Sequence, residues 1–172
     1  MGRGVVLWPD ETASDAIRSI WQKLEECHVP SLASFTHRRH RPHLTLAGGE
    51  DLPAELTLEL LGDVPGKTLD FQIESVGVFP PGGTLVLGCV VTRELLAEHR
   101  RVYDVITRLV DDPWPMYRTG RWVPHLTVGR DLDAAQMSVA LPLALEALPI
   151  GGRFALGGVE DGTSGESWPS IS

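Results

Sequence analysis

Two short strings of the sequence combine a histidine with a threonine at a spacing suited to acid–base chemistry. Residues 43–46 read His-Leu-Thr-Leu, residues 125–128 read His-Leu-Thr-Val, and a proline stands directly before each histidine. Residues two apart on a strand project from the same face of a sheet. Each string therefore predicts an apolar strand that offers an imidazole and a hydroxyl to one side.

Two such strands facing each other across a groove would surround one small anion, which is the equipment for metal-free chemistry at a phosphodiester. His43 and His125 are the candidate catalytic residues, because one imidazole can accept a proton while the other donates one. Thr45 and Thr127 are the candidate phosphate-binding residues, since a hydroxyl can donate to non-bridging oxygens that gain charge. Strand propensity alone also explains a threonine, but the face shared with histidine favours the phosphate role.

The two strings lie at matching places in an internal repeat. Four pairs of equivalent positions have an offset of 80 to 83 residues: Val5 and Leu85, Thr12 and Thr92, His43 and His125, Phe71 and Phe154. Each half shows the pattern of a strand, a helix, the motif strand, a shorter helix and a strand. We predict an α+β fold of duplicated β-α-β-α-β lobes, with two antiparallel-rich sheets facing a central groove and helices on the outside.

The same pattern sets expectations for domain limits and helix ends. Residues 1–172 are interpreted as a single two-lobed domain, with lobes at about 1–81 and 82–172. Thr12 is the predicted cap of the first helix, at a position favourable for a hydroxyl acceptor. Pro142 is predicted to bend or break the last helix.

Composition limits the classes of partner. The 172 residues are 42% hydrophobic, enough for a core, and carry a formal net charge of −8. An acidic chain is a poor binder of long duplex nucleic acid, whose affinity comes from neutralising phosphates. No signal peptide or membrane-spanning apolar run is found, so a cytoplasmic protein is the expectation. The sequence leaves the oligomeric state open, with a monomer as the default.

The segment from His37 to His43 is the one dense basic cluster, and it leads into the first motif. Arg39 and Arg41, with Arg121 before the second motif, are candidate substrate-binding residues because guanidinium groups clamp phosphates. A solvated loop explains each of them equally well.

Two other side-chain types were weighed as ligand contacts. His37, His40 and His43 have a spacing that could suggest zinc, but a strand and loop do not converge three imidazoles without a bend; we predict no metal and no cofactor. Trp8 and Tyr117 could stack on a base, although a core or rim position is the plainer interpretation.

The paired His-x-Thr-x strings in a duplicated α+β chain resemble the 2H phosphoesterase superfamily, and within it the bacterial 2′-5′ RNA ligase and cyclic phosphodiesterase groups. The resemblance implies a metal-free site acting on 2′,3′-cyclic phosphates or 2′,5′-linked ribonucleotides at RNA ends, with ligation as the reverse reaction. It marks His43, Thr45, His125 and Thr127. One departure concerns the end of the chain, where Glu160–Ser167 is rich in Gly and Ser and only Trp168–Ile171 could form a further strand.

Two other functional classes were compared with this one. A module that binds a small nucleotide or RNA end without turnover would use the same groove, but a pure binder needs no acid–base pair. An acyl hydrolase lacks support, because no Gly-x-Ser-x-Gly string is present. The sequence does not distinguish the catalytic base from the acid, since the repeat makes the two histidines nearly equivalent.

Overall fold

The structure is a computed structural model that describes residues 2–80 and 82–170. Its elements are β1 (Arg3–Pro9), α1 (Glu11–Glu26), β2 (Leu44–Gly49), α2 (Ala54–Leu61), β3 (Leu69–Phe79), β4 (Thr84–Cys89), α3 (Arg93–Leu109), a short 3-10 helix (Pro115–Tyr117), β5 (His125–Gly129), α4 (Ala134–Glu146), β6 (Ile150–Asp161) and β7 (Ser167–Trp168). The β-α-β-α-β order occurs twice and a short strand follows. The α+β class and the duplicated order are therefore confirmed.

The seven strands in the described part of the chain form one hydrogen-bonded sheet of order β1-β2-β5-β4-β3-β6-β7, and β6 also pairs with β1. All of these pairings are antiparallel. The first part of β6 runs beside β3 and the second part beside β1. The expected pair of sheets is thus two leaves of one sheet, because the 12-residue β6 is long enough to belong to both.

The last strand of each half pairs with strands of the other half. β3 lies between β4 and β6, while β6 pairs with β1. Hydrogen bonds between strands therefore link the half of the chain before residue 81 to the half after it. The division into two lobes at that point stays an interpretation of the sequence. The short β7 pairs with β6 through Trp168 and Ser167; Ile171, which was expected to extend it, lies outside the described residues.

The motif strands show the predicted alternation of burial. Leu44, Leu46, Leu126 and Val128 are fully buried, while the histidine and threonine of each string are half-buried. Helices cover the buried face, with α3 packed against β2 and α1 against β5. Each motif strand is therefore backed by the long helix of the other half, which ties the two halves together at the groove.

The long helices are held by apolar stripes. Ile17, Ile20 and Leu24 of α1 are buried, as are Val102 and Ile106 of α3. Burying one such side chain contributes roughly 1.5–3 kcal/mol, so these stripes fix the helices on the sheet. No helix within residues 2–80 and 82–170 has the length and apolar character needed to cross a membrane.

One prediction about a helix end was wrong. Asp10, rather than Thr12, caps α1: its carboxylate accepts from the Ala13 N–H at 3.0 Å and from the Arg153 N–H at 2.7 Å. Asp10 is the cap in place of Thr12 because its carboxylate also joins the start of the helix to β6. Pro142 does not break α4. Proline has no N–H, so the Ser138 carbonyl lacks the hydrogen bond that residue 142 would otherwise donate. Both residues are exposed, so water can hydrate that carbonyl.

A glycine in β2 permits the loop before β5 to pack closely. The Trp114 N–H donates to the Gly48 carbonyl at 2.9 Å, and a Cβ at Gly48 would lie 2.5 Å from Trp114 Cζ3. We predict that Gly48→Ala lowers the free energy of unfolding by about 1–3 kcal/mol, the usual cost of overpacking, in urea titrations. Gly66→Ala is the matched control, because its Cβ would meet Arg101 at an ordinary 3.5 Å. Equal stability of both variants would refute this packing argument.

Candidate active site

The two motif strands meet at a single pair of residues, Leu44 of β2 and Leu126 of β5. In an antiparallel pair, the residue before one partner lies across from the residue after the other. This register sets His43 across from Thr127, and Thr45 across from His125. All four side chains face away from the buried leucines, so the strands present them together in one groove.

The groove consists of two adjoining cavities. His43 and Thr45 line the first and His125 lines the second. Three residues line both cavities: Tyr117, Thr127 and Arg130. The four residues that the motifs predicted are thus brought together, one histidine on each side of a shared centre.

Each histidine is held in the same tautomer by a backbone carbonyl. His43 Nδ1 lies 2.8 Å from the Arg41 carbonyl, and His125 Nδ1 lies 2.7 Å from the Val123 carbonyl. Because a carbonyl oxygen only accepts, Nδ1 carries the proton and Nε2 remains for proton transfer. The preceding residues are kept extended by the prolines that follow them, which explains why a proline precedes each motif.

The environment of His125 favours its neutral form. Burial lowers the pKa of His125, and the nearby His43 and Arg130 lower it further, against the opposing effect of the Val123 carbonyl. The Phe79 ring meets the imidazole edge to face, with centroids 4.8 Å apart. A neutral imidazole with a free Nε2 can accept a proton near neutral pH.

A buried carboxylate that the motifs did not indicate lies beside the other histidine. Glu160 Oε2 is 3.8 Å from His43 Nδ1 and accepts from the Trp8 indole N–H at 3.4 Å. Glu160 reaches the groove through the pairing of β6 with β1, where it stands opposite Gly4. No local pattern in the sequence reveals that pairing, so nothing near Glu160 could have identified it.

Arg130, the second residue that sequence reasoning missed, supplies positive charge at the centre of the groove. It directly follows β5 and lines both cavities. Its charge lowers the pKa of His125, His40 and Tyr117, in each case as a smaller cause than burial or other neighbours. Its place just beyond the His-Leu-Thr-Val-Gly strand is the signal that could have found it.

Thr45 is fixed by two aromatic side chains. The buried Tyr117 hydroxyl hydrogen-bonds the Thr45 side chain, and the Trp122 indole N–H donates to the Thr45 carbonyl at 3.0 Å. Trp122 in turn stacks on His99 at 4.2 Å. Burial raises the pKa of Tyr117, and the hydrogen bond with Thr45 lowers it.

The predicted arginines are distributed differently from the motif residues. Arg121 lines the His125 cavity at its exposed rim. Arg41 lines a separate cavity with Trp8, and its carbonyl holds His43. Arg39 is exposed and donates to the Ser164 carbonyl. Of the three arginines, Arg121 is the one that lines either of the two groove cavities.

His40 lines the His43 cavity as a third imidazole. Its ring lies 4.0 Å from that of His37. Burial lowers the pKa of His40 to about 4, with contributions from His37, His43 and Arg130, so it is neutral at pH 7. Among the described residues, no three His, Cys, Asp or Glu side chains converge as metal ligands.

The chain belongs to the 2′-5′ RNA ligase superfamily, since the model of that family matches residues 9–156. This is a superfamily of 2H phosphodiesterases and RNA ligases, so the predicted resemblance to the 2H phosphoesterases is confirmed. The match includes both strings and ends before Glu160.

One solved structure shows the same fold at low sequence identity, and a second aligns with the chain as well. The crystal structure of the MHV ns2 PDE domain is 15% identical, covers 94% of this chain and 97% of its own, and has a TM-score of 0.53. Usb1 of Kluyveromyces marxianus is 12% identical, with 95% coverage of each chain and a TM-score of 0.48. No curated protein matches the sequence.

The contact between Tyr117 and Thr45 can be tested without a substrate. We predict that Tyr117→Phe lowers the free energy of unfolding by about 0.5–1.5 kcal/mol, the net contribution of a typical hydrogen bond. A double-mutant cycle with Thr45→Val should show coupling, because each change removes the same bond. Tyr103→Phe on α3 is the control and should show no coupling to Thr45→Val. Strict additivity of Tyr117→Phe and Thr45→Val would exclude the bond.

Proposed function

We propose that this chain is a metal-independent phosphodiesterase that hydrolyses 2′,3′-cyclic phosphates or 2′,5′-linked ribonucleotides at RNA ends. The observation that carries the proposal is the pair of imidazoles on the two sides of one groove, each with Nδ1 bound to a backbone carbonyl. Two such groups can provide both proton transfers of a phosphodiester hydrolysis. The family to which the chain belongs is a superfamily of phosphodiesterases and RNA ligases.

The reaction needs one neutral and one protonated histidine at the start. As the oxygen of water bonds to phosphorus, the neutral imidazole takes the proton of water at Nε2. The bond from phosphorus to a ribose oxygen breaks, and that oxygen takes a proton from Nε2 of the other imidazole. With an RNA hydroxyl in place of water, the same steps in the same direction would join two ends, and the reverse of that reaction would cleave the new linkage and close the cyclic phosphate again.

The groove also offers groups for the charge that develops on phosphate. Thr45 and Thr127 can donate hydrogen bonds to non-bridging oxygens, and Tyr117 orients Thr45 by its own hydrogen bond. Arg130 provides a full positive charge between the cavities in a chain whose net charge is −8. Positive charge confined to a groove suits a small nucleotide or RNA end, and not a long duplex.

The His125 cavity supports a nucleotide substrate by its apolar wall. Phe79, Met116 and Val123 line it, and Arg121 stands among them. An aromatic ring and apolar side chains can contact a base without reading its sequence. A short RNA end would therefore be held by its phosphate and a neighbouring base.

We predict that His43→Ala and His125→Ala each lower turnover of 2′,3′-cyclic nucleotides by about 10²–10⁴-fold, the usual contribution of general acid or base catalysis. Wild-type turnover should persist with a chelator present, because imidazoles perform both proton transfers. Chromatography would measure the product and show which phosphate is released.

The matched control for this experiment is His28→Asn. His28 is exposed at the end of α1 with φ of 60°, a conformation that asparagine accepts, so turnover should be unchanged. Turnover abolished by chelator would contradict the metal-independent mechanism. Nucleotide binding without turnover would instead indicate the binding module.

Arg130→Gln should lower kcat/KM by about 10–100-fold, because a charge-assisted hydrogen bond contributes about 1.5–3 kcal/mol. The same change should raise the pKa of His125 in an NMR titration, since the Arg130 charge lowers it. Arg118→Gln, at an exposed position, is the control for loss of charge. A normal kcat/KM with an unmoved His125 titration would place Arg130 outside the site.

A further inference from the structure

The repeat differs between its halves at one position that contacts the catalytic histidines. Val5 of β1 pairs with Val159, and its equivalent Leu85 of β4 pairs with Val78. The next residue along each partner strand is Glu160 in one half and Phe79 in the other. Two equivalent places in the fold therefore hold a carboxylate and an aromatic ring.

Each of these residues contacts the histidine of its own cavity. Glu160 Oε2 lies 3.8 Å from His43 Nδ1, and the Phe79 ring packs against His125 with centroids 4.8 Å apart. Within residues 2–80 and 82–170, His43 and Glu160 are the one pair of histidine and carboxylate within 4.0 Å. The two imidazoles are consequently alike in tautomer but unlike in electrostatic environment.

We infer that Glu160 is a positioning residue that makes His43 the general acid of the reaction and leaves His125 as the general base. This assignment rests on the proposed phosphodiesterase function and deepens it. Glu160 lies beyond the family match, which ends at residue 156.

Glu160 acts on His43 through its charge. At 3.8 Å the carboxylate is too far for a good hydrogen bond, and the Nδ1 proton is donated to the Arg41 carbonyl. Glu160 is only 8% exposed, so water screens its charge weakly and the imidazolium of His43 is stabilised. The Trp8 indole N–H holds the carboxylate in place.

The other titratable and charged groups around His43 do not cancel this effect. His40 is neutral at pH 7, because its pKa lies at about 4, and burial lowers the pKa of His125. Arg41 lines another cavity and is absent from the lining of the His43 cavity. Arg130 is the remaining cation of the His43 cavity, and it is exposed, whereas Glu160 is buried.

The environment of His125 has the opposite effect. Phe79 offers no charge to stabilise an imidazolium, and Arg130 disfavours one. In the assigned step, the proton of the attacking water passes to His125 Nε2 while phosphorus gains the water oxygen. The ribose oxygen leaves phosphorus with its bonding pair and takes a proton from His43 Nε2. Bulk water then returns both histidines to their starting forms.

A substrate with a sulfur leaving atom distinguishes the acid from the base. A thiolate departs without protonation far more readily than an alkoxide, since a thiol has a pKa near 8.5. We compare a 2′,3′-cyclic nucleotide with its analogue in which sulfur replaces the ribose oxygen that leaves. His43→Ala should turn over the sulfur analogue within about tenfold of the wild type, while losing about 10²-fold or more on the oxygen substrate. His125→Ala should fail on both.

The outcomes separate the inference from the proposed function. Rescue of His125→Ala, and not of His43→Ala, would reverse the two roles and overturn the inference while leaving the phosphodiesterase intact. Failure of the sulfur analogue to rescue either variant would also overturn it. A wild-type protein inactive on both substrates would instead remove the proposed function.

The role of Glu160 is tested by Glu160→Gln, which keeps the shape of the side chain and an acceptor for Trp8. Loss of the charge should move the alkaline limb of kcat/KM, which reports the general acid, to lower pH, while the acid limb stays. Circular dichroism checks the fold.

Glu166→Gln is the matched control, because Glu166 is exposed just before β7; it should leave both limbs unchanged. A purely structural role of Glu160 would lower activity equally at every pH. That result, or an unmoved alkaline limb in folded Glu160→Gln, would overturn the role assigned to Glu160.

Discussion

The pairing of Leu44 with Leu126 is the constraint on which the site depends. It is the one register pair between β2 and β5, and both leucines are fully buried. A slip of one residue in either strand would turn its histidine and threonine into the core, because side chains alternate between faces. The buried leucines therefore fix the facing of all four motif side chains, and the helices behind the two strands keep those leucines in place.

Closure of the strands around this pair explains how the chain holds the two histidines in place. β6 joins the two leaves on the far side, since it pairs with both β1 and β3. Because β3 and β6 each pair with strands of the other half, neither motif strand can move without displacing the other half. Such coupling suits a two-histidine site, where both imidazoles must keep their distance from one phosphorus atom.

The sequence predicted what depends on local patterns. Alternation of apolar and polar residues identified the motif strands, and the repeat identified the order of the elements. Pairing between distant strands has no local signal, so the single sheet and the presence of Glu160 beside His43 could not be foreseen. Asp10 was missed as a helix cap for a related reason, because its second bond is to Arg153 of β6. Arg130 could have been identified from the sequence, since it directly follows the second motif strand.

Duplication explains the shared features of the two histidines, and departure from the repeat explains their division of labour. The proline before each motif and the carbonyl bound to each Nδ1 occur in both halves. Glu160 and Phe79 break the symmetry at equivalent positions. On the proposed assignment, hydrolysis begins with the proton on His43. Ligation of a 2′,3′-cyclic end begins from the same state, with an RNA hydroxyl in place of water. Cleavage of the joined linkage by the neighbouring ribose hydroxyl begins from the opposite state, with the proton on His125, where burial and Arg130 disfavour it. The same residues therefore permit both directions but favour the one that opens the cyclic phosphate.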